Sequence, residues 1–203
     1  MSPISRIVRR TSSLLFLVLI IYFQSFNILA SSYSVASNSP NTQVNHQSNT
    51  AADMLVPAPA VNGVSMNVFT RFEVSGRKLI IYNGNRETGG TVSEDAARLI
   101  VIEAPILSLA DNIEILGVPA DLLFVSRGSN KTLSCHQCSF DNVGRLTLTV
   151  AGFNSAAVIQ NSGEIGRLTA SYNGVVDINQ LSAPGVQSLE LIADRVKSID
   201  SHN

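Results

Sequence analysis

Beyond residue 60 the chain alternates short apolar runs with polar punctuation. Residues 64–69, 79–82, 99–102, 113–116, 122–125, 146–150, 156–159, 175–178, 189–193 and 196–199 are rich in Val, Ile and Leu, and Gly, Asn and Asp separate them. Runs this short and this β-branched predict strands and not helices. The separators Asn83-Gly84-Asn85, Arg127-Gly128-Ser129-Asn130 and Tyr172-Asn173-Gly174 supply residues that tolerate positive φ. The one helical expectation is a single turn over residues 93–97, where Ser93 would act as the cap.

Alternation is cleanest in the C-terminal third. Leu189 and Leu191 alternate with Ser188 and Glu190, while Val196 and Ile199 sit among charges, so these strands present one apolar and one wet face. Strands recurring at intervals of roughly 10 residues fit a sandwich or a β-solenoid with coils of roughly 20 to 25 residues. Asn-Gly or Asp-Gly hairpins between matched strands are scarce, which weighs against the sandwich.

The texture differs upstream. Residues 31–60 hold few large apolar side chains and much Ser, Asn and Thr, and so are expected to be a flexible leader before a single folded domain over 61–203. Arg6, Arg9 and Arg10 precede an unbroken apolar run at 14–23, and Gln24, Ser25 and Asn27 then interrupt it. That arrangement is a secretory signal peptide over 1–30, cleaved after Ala30 or, on a second small-residue match, after Ala36. The run is short for a membrane span.

Composition narrows the partners. Lys plus Arg number 14 against 15 Asp plus Glu, charged residues make up 14%, and Trp is absent, so no basic field points to nucleic acid. The only cysteines are Cys135 and Cys138, in SCHQCSF. Three readings stand: a structural disulfide, which export favours; reduced, inert thiols; or redox or metal chemistry. Structural zinc needs four ligands, and beyond His136 only His46 and His202 remain. Asp177, Glu190, Asp194, Arg195 and Asp200 are the residues a polysaccharide-cleaving β-helix would use, but they read more simply as a solvated strand face. Asn130-Lys131-Thr132 has the form of a glycosylation sequon and reads as a polar turn.

Several ordered segments carry a family likeness. GVSMNVFTRFEV (63–74) resembles the "GxSxNxYxxFNV" opening of the haemagglutination-activity, or two-partner secretion, domain of filamentous haemagglutinins, haemolysins and contact-dependent toxins. Residues 76–83 are similar to its "GLILNN" strand, AARLIVIEA (96–104) to "GxARxIxNEV", and IEILGVPADLLF (113–124) to "xEVAGxxAxVIxA". CHQCSF with RLTLT (145–149) resembles "CxGCxFxNxxRATLTTG", while 174–178 and 188–196 resemble "GxVxIxG" and "LDLIARxV". The family's Asn-Pro-Asn-Gly turn before the cysteines is replaced by Ser126-Arg127-Gly128-Ser129-Asn130, and its Asn-Pro-Asn-Leu element has no counterpart between Gly90 and Ala96.

The resemblance implies an all-β, right-handed parallel β-helix with N-terminal capping strands and small antiparallel elements outside the helix. It implies no enzymatic activity and no cofactor. The implied function is a secretion-recognition domain, carried by the Sec translocon to the periplasm of a Gram-negative bacterium. From there a TpsB-type outer-membrane β-barrel transporter, using its periplasmic domains, would pass it to the cell surface or medium. The alternatives are a free-standing adhesin with a glycan or host-cell receptor and, least supported, a carbohydrate-active enzyme. The motif positions expected to serve secretion and folding are Asn67, Phe72, Arg98, Glu103, Gly117, Ala120, Gly128, Phe140 and Arg145.

Overall fold

A computed structural model describes residues 32–35, 42–46, 50–56, 59, 63–84, 96–128, 131–152 and 168–198. Among these residues there are strands and no helices. They are β1 (Ser32–Val35), β2 (Gln43–His46), β3 (Ala51–Leu55), β4 (Val64–Val74), β5 (Lys78–Asn83), β6 (Leu99–Ala104), β7 (Leu107–Gly117) and β8 (Ala120–Ser126). They continue as β9 (Thr132–Asp141), β10 (Val143–Thr149), β11 (Ala151–Gly152), β12 (Thr169–Ala170), β13 (Val175–Ser182), β14 (Ser188–Ile192) and β15 (Arg195–Ser198).

The long strands turn corners. The first part of β4 pairs with β6, and its last residues, from Phe72 to Val74, pair with β7. Leu107 and Leu109 of β7 pair with β9 on the face they share with β4, and Ile113 to Gly117 pair with β5 on another. The chain therefore winds as a parallel β-helix with three faces. β4, β6, β8, β10 and β14 stack on the first face. The end of β4, the starts of β7, β9 and β13, and then β15 stack on the second. β3, β5 and the ends of β7, β9 and β13 form the third.

Parallel stacking converts the strand period into columns, because each coil places its inward residue over that of the coil before. Ile100, Leu122 and Leu146 form one column, Phe72, Leu107, Leu133 and Val176 a second, and Leu79, Ile113 and Phe140 a third. Aromatic rings tie the columns together across the interior. Phe69 and Phe72 meet edge to face at 4.9 Å, Phe72 lies 6.1 Å from Phe124, and Phe124 lies 6.0 Å from Phe140. All four are fully buried, each contributing about 1.5–3 kcal/mol from burial alone. The first face is apolar outside as well: Val64, Val101, Leu123 and Val125 form a second cluster, against which Met66, Leu99 and Leu168 pack. That is why LIVIEA and ADLLFVS read as continuous runs and not as alternating strands.

The leader expected over 31–60 needs correction. β3 adds to the third face alongside β5 and buries Ala52 and Met54, β2 pairs antiparallel with β3, and β1 pairs antiparallel with β4. A capping strand draws its hydrogen bonds from a sheet that already exists, so one or two inward side chains suffice to hold it. β11 and β12 pair antiparallel with each other outside the helix. The signal segment, the helical turn expected at Ser93 and the run at 156–159 lie outside the described residues. Among those described, no helix is long and apolar enough to cross a membrane.

Candidate functional site

The expected motif residues do not converge on one pocket. They occupy the inward columns and the joints of the β-helix, beginning at its N-terminal end. Asn67 falls in register with Ile102, Phe124, Leu148 and Leu191, an inward position that every later coil fills with an apolar side chain. Its fully buried amide donates to the carbonyls of Ser65 and Val101 at 3.2 Å each and accepts from the Thr42 hydroxyl at 2.9 Å. A polar group thus closes the column where, among the described residues, no earlier strand of the first face covers it. Phe72 stands next to it as the hub of the ring contacts, with Tyr33 of β1 edge-on at 5.1 Å.

Asn83, Arg98, Gly117 and Ala120 form the joint between successive coils. The Asn83 amide donates to the carbonyls of Ala97 (2.9 Å) and Val118 (2.8 Å) and accepts from the Ala97 N–H (2.8 Å), so one side chain stitches three segments. The Arg98 N–H donates to the Gly63 carbonyl at 2.8 Å, and the Asp121 N–H donates to the Arg98 carbonyl at 2.9 Å. Gly117, at φ 105°, turns the corner from the third face to the first, and buried Ala120 opens the next strand. Asn142, at φ 59°, turns the same corner one coil later and donates to the Ile115 and Gly117 carbonyls at 2.9 and 3.3 Å. Asn tolerates this left-handed backbone better than other side chains do.

Glu103 and Gly128 meet at the corner between the first and second faces. Arg127 Nη1 donates to Glu103 Oε1 at 2.8 Å, while Glu103 Oε2 is buried without a hydrogen bond. A Cβ on Gly128 would come 1.9 Å from the Pro105 carbonyl oxygen, so the chain passes there only because the side chain is hydrogen. Gly128 belongs to the segment 126–130 at which the sequence departs from the pattern it otherwise resembles.

Cys135 and Cys138 are disulfide-bonded, with Cα atoms 5.6 Å apart, and both are buried. They flank the corner between the second and third faces inside β9, and Phe140 re-enters the core beyond it. Among the described residues no group of His, Cys, Asp and Glu is placed to hold a metal ion. Arg145 grips Asp121 of the preceding coil: its backbone N–H donates to Oδ1 at 2.9 Å, and its Nε and Nη2 donate to Oδ2 at 2.9 and 2.7 Å. The hydrogen bond to Asp121, reinforced by that carboxylate's charge, raises the guanidinium pKa above its ordinary value.

The carboxylates singled out for hydrolysis are spread over different faces. Glu190 lies on the first face and accepts from Thr147 Oγ1 at 3.1 Å, Asp177 on the second pairs in register with Lys197, and Asp194 accepts from the Asn173 N–H at 3.2 Å. Arg195 is exposed at the start of β15, and Asp200 lies outside the described residues. Asp177 does sit 3.8 Å from His136 and in register with Ser134, but the Ser134 hydroxyl donates to Ser108 at 2.9 Å. Thr42, Asp121 and Asn142 were not singled out from the sequence, and Asn83 was read only as a turn residue. The available signal was an Asn at a strand end beside a glycine or a tight turn, as in Asn83-Gly84.

No family profile and no curated protein sequence matches this chain. Among solved structures, the chain is similar to the crystal structure of a filamentous hemagglutinin secretion domain, with a TM-score of 0.62 and 24% sequence identity. The match covers 81% of this chain and 56% of the other, so the chain spans little more than half the length of that solved structure. With three stacked faces, mostly parallel pairing and this neighbour, the fold is that of a parallel β-helix.

Proposed function

We propose that the chain is the secretion-recognition domain of a two-partner-secretion exoprotein of the haemagglutinin or adhesin type. The observation that carries this reading is that the ordered motif positions fall on the inward columns and joints of a β-helix similar to a filamentous hemagglutinin secretion domain. On this reading residues 1–30 direct the chain through the Sec translocon, and the periplasmic domains of a TpsB-type β-barrel transporter receive it. The product is a secreted or surface protein of a Gram-negative bacterium.

The physical logic is sequential. Each coil buries its inward residues only against its neighbour, so folding propagates from an end once one coil is formed. The N-terminal end carries its own closure in β1, β2, β3 and Asn67, which suits it to nucleate that propagation. Co-expression with a candidate transporter, scoring medium against periplasm, tests the proposal. Appearance in the medium only when the transporter is present is expected; retention in the periplasm with every cognate transporter overturns it.

A further inference from the structure

The disulfide stands where the helix changes its corner. At the turn from the second to the third face, β7 places one residue, Ala110, between Leu109 and Asp111, while β9 places His136 and Gln137 between their partners Cys135 and Cys138. The next coil keeps the wider form without a bridge, with Asn179 and Gln180 between Ile178 and Leu181. β13 can therefore copy the corner of β9, but β9 has no matching corner in β7 to copy. A slip of one residue there would turn Phe140, fully buried 6.0 Å from Phe124, toward solvent.

Burial fixes when the bridge can form. Cys135 and Cys138 are 0% and 1% exposed, with β7 stacked on one side of them and β13 on the other. Thiol–disulfide exchange needs a thiolate in contact with a donor sulfur, and neither cysteine is reachable once both neighbours are in place. The bridge needs no other part of the chain. It spans a sequence separation of 3 and holds Cα atoms 5.6 Å apart that full extension would place roughly 10 Å apart. Residues three apart in a strand face opposite sides, so the bond closes only when His136 and Gln137 bend into a turn.

We propose that the bridge is made on the extended chain by a disulfide donor, before β13 stacks, and that it presets the wide corner of β9. One cysteine thiolate attacks the donor disulfide, forming a mixed disulfide and expelling one donor thiolate. The thiolate of the other cysteine attacks the sulfur of the first, closing the bond between Cys135 and Cys138 and expelling the second donor thiolate. Two electrons pass to the donor, whose two sulfurs take up the two thiol protons. No step involves a transporter, so failure of the export proposal leaves this one standing.

Oxidised glutathione is the donor used in the test. The purified chain is compared reduced and unfolded in urea, and reduced and refolded without oxidant, with bridge formation read by mass after alkylation. Bridging should be more than about tenfold slower in the folded chain. Dithiothreitol gives the reverse reading where the reduced chain folds poorly: it should open the native bridge more than about tenfold more slowly than the bridge in urea. Refolding from urea, followed by circular dichroism, should be faster by about threefold or more for the bridged chain than for the reduced one, since only the bridged chain starts with its corner set. Smaller differences in exchange rate between folded and unfolded chain overturn the proposed timing, and refolding that the bridge does not accelerate overturns the presetting of the corner.

Discussion

The Thr42 hydroxyl donates to the buried amide oxygen of Asn67 at 2.9 Å, joining the segment before β2 to the first coil of the helix. The amide nitrogen is spent on the Val101 and Ser65 carbonyls, so Asn67 links cap, first coil and second coil at once. Replacing it with Ala removes the acceptor of the Thr42 hydroxyl and a donor to the Val101 carbonyl in a buried site. Asn67→Ala should cost about 2–4 kcal/mol and Thr42→Val about 1 kcal/mol in urea unfolding. The double variant should fall short of their sum by about 0.5–1.5 kcal/mol, the signature of a direct contact. Strict additivity would show that Thr42 does not hold the cap.

Gly128 makes a sharper case. With the Pro105 oxygen 1.9 Å from where a Cβ would sit, Gly128→Ala must displace backbone and not merely a flexible side chain. A loss of about 1–3 kcal/mol is expected. Gly152, whose Cβ would meet nothing within 4 Å, is the internal control: Gly152→Ala should leave the thermal midpoint nearly unchanged. Equal effects at the two positions would contradict the close approach.

The disulfide is predicted to be dispensable for the fold. Its corner is repeated one coil later, where Ile178 and Leu181 stand in register with Cys135 and Cys138 and Gln180 holds the same left-handed backbone as Gln137. Geometry achieved there without a bridge does not require one here. Closing so small a loop is worth about 2 kcal/mol by chain entropy. Cys135→Val/Cys138→Ala should keep its β circular dichroism and a cooperative transition, with stability lower by about 2–3 kcal/mol. An unfolded double variant would assign the bridge a larger role.

The Arg145 and Asp121 pair is bidentate yet largely solvent-facing, with side-chain exposures of 61% and 27%. Its guanidinium contributes less than its geometry suggests, and Arg145→Ala should cost at most about 1 kcal/mol. Asp121→Ala should cost somewhat more, because it also removes the acceptor of the Arg145 backbone N–H. The raised guanidinium pKa gives stability that is complete below its unfolded value and is lost only as pH rises through the folded one, in strongly alkaline solution. The Arg145→Ala difference should therefore stay flat between roughly pH 6 and 9.

Much of the helix was legible because parallel coils buried on both sides leave continuous apolar runs, as in LIVIEA and ADLLFVS. The cap was not legible. QVNH and AADML carry too little apolar surface to declare themselves; AADML takes its strand identity from the edge of β5, and QVNH in turn from AADML. The joints were legible only in part. Asn67 and Arg145 stood out through the family likeness, but nothing in the sequence marks that Asp121 is in reach of Arg145 24 residues on, since coil length sets that pairing. Left-handed Gln137 and Gln180 were unreadable for a different reason: Gln is not a residue that propensity places at such corners.

The proposed export route makes the two ends of the helix unequal. At the C-terminal end, Leu189 and Val196 occupy the inward columns of Leu146 and Val176 yet are 45% and 47% exposed, so little packing depends on them. At the other end Asn67 holds the closure from which folding would propagate. With a cognate transporter, Asn67→Ala should lower the ratio of chain in the medium to chain in the periplasm severalfold. Leu189→Ser should leave that ratio nearly unchanged, although its apolar character is lost entirely. Urea unfolding of both variants gives the comparison its meaning: if secretion tracked global stability alone, a C-terminal variant of matched stability would be retained equally. Equal retention would remove the cap from the secretion mechanism while leaving its structural role intact.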